Sequence, residues 1–129
     1  MEQANASKIY GADELRGWLI KQGFRCAPDS LKYRDNECNW YAYRRSELAA
    51  RRCECNSEDA GMQIVVKPSM LWLGDNKHES VEIELCGEAA GVWWKLSAYG
   101  LKLNEVPERM ADIEVSLVAA WNSLLPKEL

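Results

Sequence analysis

The chain has 129 residues, of which 47% are hydrophobic and 28% charged, and this is the size and composition of one globular domain. Its formal net charge of −4 argues against a generally basic protein that coats nucleic acid through phosphate contacts. No apolar stretch is long enough to span a membrane. The six tryptophans are several times the average usage, and indoles suit either a core or a binding surface.

The N-terminal segment predicts no targeting signal. Residues 1–11 form a polar lead-in that we expect to be poorly ordered, without the basic start and apolar core of a signal peptide. The five cysteines are an odd number and are expected as reduced thiols rather than as a disulfide framework. We therefore predict a cytoplasmic protein with a single domain over residues 1–129.

The first predicted element is an amphipathic helix. Leu15, Trp18 and Leu19 follow the i, i+3, i+4 spacing of one helix face. Asp13 is placed to cap the first turn, and Gly23 is placed to end the helix in a left-handed conformation.

A strand is predicted after a loop over residues 26–39. In this strand, which begins at Asn39, Trp40 and Ala42 alternate with two tyrosines, Tyr41 and Tyr43. The next segment, SELAAR, fits either a single helical turn or a wide hairpin loop. Cys53 and Cys55 then fall on the same side of a further strand.

Three more strands follow, and the hairpins between them predict a meander. The first is MQIVVK at 62–67, which Pro68 should interrupt before LWL resumes it at 71–73. The second, SVEIELC, follows a turn at GDNKH and points Val81, Ile83 and Leu85 inward and Glu82 and Glu84 outward. The third follows a turn at GEAAG and sets Trp94, Leu96 and Ala98 against Trp93, Lys95, Ser97 and Tyr99.

The final predicted element is a long amphipathic helix capped by Asn104, with Pro107 in its first turn. Its apolar stripe is Met110, Ile113, Leu117, Ala120 and Leu124. The whole order predicts an α+β fold: an antiparallel meander of about four to five strands with the N- and C-terminal helices packed on one face as a two-layer sandwich.

An arginine and aromatic cluster is the first candidate site. It comprises Trp40, Tyr41, Tyr43, Arg44, Arg45, Arg51 and Arg52. Aromatic platforms beside cations are typical of single-stranded nucleic-acid binding, although no RNA-recognition, GXXG or helix-turn-helix pattern accompanies them. The alternatives are a solvated arginine face and a protein interface, in which Arg, Trp and Tyr are the enriched residue types.

The cysteines are the candidates for a metal site. Cys53 and Cys55, with Cys26 and Cys38 upstream, supply four thiols. Structural zinc usually needs two closely spaced pairs, and only one pair here is close, so ordinary half-buried thiols are favoured. No cofactor is predicted.

A catalytic site is not predicted. His78, the single histidine, is expected at a turn, and pairing it with Cys86 would form a nucleophile and base. No orienting residue, oxyanion motif, P-loop or G-x-S-x-G pattern supports that pair.

The sheet face opposite the helices is the better functional candidate. Alternation sends Trp93 and Tyr99 to that face, together with either Trp40 or the tyrosine pair of the same strand. Such an aromatic face should be covered by a protein partner, by a second copy of the chain or by the long loops. Outward carboxylates, including Glu82, Glu84 and Glu88, favour either a basic partner or a solvated strand face.

A general resemblance rests on five segments: WYAYRR, RRCECN, QIVVKP, the ESVEIELCGEA and GVWWKLSAY hairpin, and AAWNSLL. Together, over residues 13 to 125, they resemble small accessory proteins encoded by tailed phages and prophages of Gram-negative bacteria. The resemblance implies a protein that acts by binding, for instance by blocking a host or defence protein, and transfers no site residues.

The sequence therefore predicts a small non-enzymatic binding protein that meets a protein partner through an aromatic and arginine surface. Homodimerisation remains open. A nucleic-acid-binding module is the first alternative and a zinc or thiol site at Cys53 and Cys55 the second.

Overall fold

The computed structural model describes residues 11–28, 40–49, 62–73, 76–89 and 92–124. In chain order the elements are α1 (Ala12–Lys21), β1 (Arg25–Pro28), β2 (Trp40–Arg45), β3 (Gln63–Leu73), β4 (Asn76–Ala89), β5 (Val92–Leu101), a 3₁₀ turn (Leu103–Glu105) and α2 (Val106–Leu124). The predicted lead-in up to residue 10, together with Cys38, Arg51, Arg52, Cys53 and Cys55, lies outside the described residues.

The five strands form one antiparallel sheet in the order β1-β2-β3-β4-β5, so each strand pairs with its neighbour in sequence. α2 packs over β4 and β5, and α1 contacts β1. This is the predicted α+β meander, and its fold class is confirmed.

The core lies between the two helices and the inner face of the sheet. Its largest fully buried side chains are Trp121, Leu15, Leu19, Met62, Ile64, Ile83 and Leu85. The inward set predicted for β4 is confirmed, and Trp94, Leu96 and Ala98 of β5 pack against the core as predicted.

α1 begins two residues earlier than predicted. Gly11 is its N-cap residue, and Asp13 lies within the first turn, where its Oδ1 accepts a 3.0 Å hydrogen bond from Arg16. The prediction that Asp13 caps the helix was therefore wrong. A carboxylate in the first turn still interacts favourably with the helix dipole.

The predicted end of α1 is confirmed at Gly23, which has a φ of +94°. The Gly23 amide donates to the Ile20 carbonyl, and the Phe24 amide donates to the Leu19 carbonyl, both at 3.0 Å. These are the two bonds of a Schellman motif, and they bring the Phe24 side chain back into the core.

Two strands differ from the prediction in extent. The expected loop over 26–39 was wrong for Cys26–Pro28, because these residues pair with β2. Pro68 does not interrupt β3, in which it lies opposite Val81. The recorded pairs between β2 and β3 run from Gln63 to Val66 of β3, so this ladder stops before Pro68, which has no amide to donate to it.

The predicted turns at GDNKH and GEAAG are shorter than expected. β4 already begins at Asn76 and continues to Ala89, because β3 and β5 offer pairing partners along this whole length. Asn104 does not cap α2 but lies in the 3₁₀ turn, in which the Lys102 amide donates to the Glu105 carboxylate at 2.8 Å. Between β2 and β3, Glu47–Ala49 form a turn closed by the Ala49 amide on the Ser46 carbonyl at 3.2 Å.

Candidate functional site: the open face of the sheet

The second face of the sheet, which we call the open face, has no helix or strand packed on it among the described residues. Strict alternation along β2 to β5 places these side chains there: Tyr41, Tyr43, Arg45, Gln63, Val65, Lys67, Glu82, Glu84, Cys86, Glu88, Trp93, Lys95, Ser97 and Tyr99. The predicted outward positions of β4 and β5 are therefore correct.

The structure decides between the two aromatic sets of β2. Tyr41 and Tyr43 lie on the open face with their ring centroids 5.8 Å apart and their planes tilted by 38°. Trp40 lies in the core at 4% exposure, so it does not belong to the surface where it was expected with the tyrosines. The Arg16 guanidinium lies 5.8 Å from its ring centroid.

Two aromatic side chains of β5 extend the open face into solvent. Trp93 is 67% exposed and Tyr99 is 73% exposed. Side chains of this size and exposure are typical of surfaces that bind another molecule.

A buried carboxylate lies at the centre of the open face. Glu84 is only 2% exposed, and the ammonium nitrogens of Lys67 and Lys95 lie 3.1 and 3.2 Å from its Oε2. In the sheet register the lysines stand opposite Glu82 and Cys86, the two open-face neighbours of Glu84 on β4, so each reaches Glu84 diagonally. The ion pairs explain how a charge is tolerated at this depth.

Glu82 and Glu84 are joined by a side-chain hydrogen bond, with opposite effects on their pKa values. Burial, that hydrogen bond and the negative charge of Glu84 raise the pKa of Glu82. Burial alone would raise the pKa of Glu84, but the hydrogen bond from Glu82 and the interactions with Lys67 and Lys95 lower it. When the two carboxyl groups hold one proton between them, these opposite pKa shifts therefore favour its residence on Glu82.

A shallow depression of about 320 Å³, which we call the central pocket, opens between the aromatic residues and this charged cluster. Its lining is Tyr41, Val65, Lys67, Glu84, Cys86, Trp93 and Lys95. Burial and the nearby Glu84 raise the pKa of the Cys86 thiol, so the group is not an activated nucleophile. The combination suits an apolar side chain that carries or adjoins a carboxylate.

Arg44 has a structural role that the sequence did not predict. Its two terminal nitrogens bond the Glu114 carboxylate of α2 at 2.6 and 3.2 Å, and the Ser46 hydroxyl donates to the same carboxylate at 2.8 Å. The guanidinium also lies 4.8 Å from the ring centroid of Phe24. Arg44 therefore ties the sheet to α2 instead of presenting its charge at the surface.

The remaining described arginine of the cluster, Arg45, lies beside a second cavity of about 440 Å³ at the β1 side of the sheet. Its lining is Gly23, Arg25, Tyr43, Arg44, Arg45, Glu47 and Gln63. Because Tyr43 belongs both to this lining and to the open face, the two surfaces are continuous.

The hypothetical His78 and Cys86 pair does not form. His78 is part of β4 rather than of a turn, and eight positions of the same strand separate it from Cys86. At about 3.4 Å per residue this separation is roughly 27 Å, far beyond hydrogen-bond reach. Within the described ranges no group of His, Cys, Asp and Glu side chains is arranged to hold a metal ion.

In the part of the chain that the structure describes, neither helix combines the length and apolar character needed to cross a bilayer. No family model, curated protein or solved structure matches this chain. The chemistry of the open face is therefore the basis for inferring function.

Proposed function

We propose that this protein is a small non-enzymatic binding protein that docks a protein partner on its open face. The observation that carries the proposal is the aromatic group Tyr41, Tyr43, Trp93 and Tyr99 around an ion-paired centre. Tyr and Trp are enriched in the residues that dominate binding energy, because they bury large areas and keep a polar atom available.

The layout of the open face matches the anatomy of a protein interface. Val65 and the ion-paired Glu84 are buried at the centre and Tyr41 is half-buried, while the exposed side chains of Trp93, Tyr99 and Glu88 stand around them. Lys67 and Lys95 retain side-chain exposures of 31% and 48%, and their remaining N–H groups are available to a partner's carboxylate. The favoured partner segment is therefore apolar with an acidic residue.

The two described thiols are not activated for covalent catalysis. Burial raises the pKa of both Cys26 and Cys86, which keeps each sulfur protonated near neutral pH. Both are free thiols, which suits the reducing cytoplasm that we propose as the protein's setting.

A protein partner is favoured over nucleic acid because the predicted nucleic-acid surface is incomplete. Trp40 is buried and Arg44 is bonded to Glu114, so neither offers a stacking platform or a phosphate contact at the surface. Glu88 is an exposed carboxylate on the same face, and it would repel phosphates.

The biological role that we propose is a modulator or inhibitor of a host defence protein, encoded by a phage or prophage. The support is the sequence resemblance to such accessory proteins together with a surface suited to protein binding. A compact chain without a catalytic constellation among its described residues can act in this way by occupying the partner's surface.

The test is affinity capture from extract of a Gram-negative host, followed by titration of the purified captured protein in a calorimeter. We compare the wild type with Tyr41→Ala and Tyr43→Ala, and use Val115→Ala on the exposed side of α2 as the matched control. At least one tyrosine variant should lose more than about 1 kcal/mol of binding free energy, while the control binds as the wild type does.

A partner that binds all three variants equally would contradict the proposal. A shift of single-stranded RNA or DNA that disappears at high salt, with no protein captured, would favour the nucleic-acid alternative.

A further inference from the structure

β5 is an edge strand with unusual exposure. It pairs with β4 on one side only, and no described strand pairs with its outer side. Its ten residues carry Val92, Trp93 and Tyr99, all more than half exposed. A long apolar edge offers a row of main-chain hydrogen-bonding groups to another strand.

The opposite edge of the sheet is protected by comparison. β1 has only four residues, begins with the exposed Arg25 and ends in Pro28, which has no amide to donate. Short length, charge and proline are the features by which native sheets discourage edge pairing. The contrast singles out β5 as the edge that is available for pairing.

β5 is regular over most of its length. Between Ile83 opposite Ala98 and Val81 opposite Leu101, the two residues Tyr99 and Gly100 stand against the single Glu82, which is a bulge. Gly100 has a φ of +87°, which glycine adopts without steric cost. The stretch suited to pairing therefore runs from Val92 to Tyr99, the first residue of the bulge, and leaves out Gly100.

We propose that β5 pairs antiparallel with β5 of a second copy, around a two-fold axis at Leu96, to form a continuous ten-stranded sheet. In an antiparallel pair, directly opposed residues have their side chains on the same face of the sheet. The two-fold axis must therefore pass between one residue and the same residue of the second copy. The proposal thus fixes every opposed pair.

The register at Leu96 is the most complementary near the middle of the strand. It opposes Trp93 to Tyr99 of the second copy on the open face and Trp94 to Ala98 on the helix face. Lys95 then opposes Ser97. An axis one residue earlier would oppose Lys95 to its own copy, and like charges directly opposite are destabilising.

Lys95 does not block this edge. Its ammonium group is directed back over β4 to Glu84, at 3.2 Å, where its charge is paired. The lysine therefore does not act as the unpaired edge charge that usually prevents strand addition.

The helix layer supports the same axis. Glu114 of α2 reaches Arg44 on β2, so the other flank of the helix, with Ile113, Ala120 and Leu124, lies toward the β5 edge. Leu124 is 52% exposed, and Ala120 is exposed and small. Two copies of this flank would meet above the paired strands.

Dimerisation would join the two open faces into one surface, with a Trp93 and Tyr99 pair on each side of the axis. Pairing of aromatic residues across strands stabilises such a junction. The inference stands independently of the proposed function, whose test uses Tyr41 and Tyr43 on β2.

The experiment measures the mass of the full chain by light scattering and sedimentation equilibrium over a range of concentrations. Two double variants test the register: W93K/Y99K and W93K/Y99E. In the proposed dimer the introduced side chains oppose each other across the axis with like charge in the first variant and with opposite charge in the second.

We expect the wild type to have the mass of two chains and W93K/Y99E to dimerise at least about tenfold more tightly than W93K/Y99K. Repulsion between the net negative charges of the two copies would instead favour the dimer of W93K/Y99K, because that chain is the less negative of the two. V115K is the control and should dimerise as the wild type does, and circular dichroism checks that each variant is folded.

A wild type with the mass of one chain up to its solubility limit overturns the proposal. A dimer that both double variants weaken equally also overturns it, because the association would then use another surface.

Discussion

Arg44 on β2 and Glu114 on α2 form a two-pronged ion pair, with nitrogen to oxygen distances of 2.6 and 3.2 Å. The carboxylate is 7% exposed and the guanidinium 28% exposed, so this is a largely buried contact between the sheet and its long helix. Ser46 adds a third donor to the same carboxylate. The contact ties α2 to the inner face of the sheet.

The first prediction concerns this pair. Arg44→Met should lower the free energy of unfolding by about 3 kcal/mol, because it leaves the Glu114 carboxylate buried without its cation. Glu114→Gln should cost less, about 1 to 2 kcal/mol, because the amide oxygen still accepts from Arg44. Urea denaturation followed by circular dichroism measures both.

The double variant R44M/E114M is the matched control. It removes both charges and should be more stable than Arg44→Met alone. An Arg44→Met protein within about 0.5 kcal/mol of the wild type would contradict a structural role for the pair.

The second prediction compares a glycine in a left-handed backbone conformation with a glycine inside a helix. Gly23 has a φ of +94°, so Gly23→Ala should destabilise the chain by about 1 to 2 kcal/mol. Gly17 lies inside α1, and Gly17→Ala should stabilise it by about 0.5 to 1 kcal/mol. A methyl group at either position meets no atom within 4 Å, so the backbone alone decides the sign. Equal effects in denaturant melts would rule out the Schellman end of α1.

The third prediction concerns pH. The folded state raises the pKa of Glu82 above its ordinary 4.5, first by burial and then through Glu84. Between pH 4.5 and that raised pKa the folded chain holds more protons than the unfolded chain, so stability falls as pH rises through the window. Glu82→Gln keeps a donor toward Glu84 and removes the titration, so its advantage over the wild type should grow from acid to neutral pH.

Denaturant midpoints measured across this pH range test the effect of Glu82→Gln. The change Glu108→Gln on α2 controls for the loss of one negative charge at an exposed position. Stability curves of the wild type and Glu82→Gln that run parallel over the whole range would show that Glu82 does not hold the shared proton.

Local pattern was sufficient to predict much of the fold. Alternation in β4 and β5 correctly assigned both faces, because a side-chain period of two leaves no other arrangement once one face is buried. Gly23 was identified because its position after an apolar helix stripe calls for a left-handed residue. The sequence did not decide which face of the sheet Tyr41 and Tyr43 occupy. In β2, Trp and Ala alternate with Tyr, and either set could have been the buried one.

Other features depend on partners distant in sequence. Cys26–Pro28 become part of strand β1 only because β2 lies beside them, and Pro68 fits β3 because the recorded pairing of β3 with β2 stops at Val66. The Arg44 and Glu114 pair joins residues 70 positions apart. A signal for it was present, since Glu114 falls within the buried stripe of α2 and a buried carboxylate calls for a cation.

The central claim is that a protein partner covers the open face, and thiol alkylation tests it most directly. Cys86 lines the central pocket, whereas Cys26 packs against the core on the helix side of the sheet, so the chain carries its own control. The rates at both thiols are measured by peptide mass spectrometry with and without saturating captured partner. The account predicts that the partner slows alkylation of Cys86 severalfold and leaves Cys26 unchanged; an unchanged rate at Cys86 would contradict it.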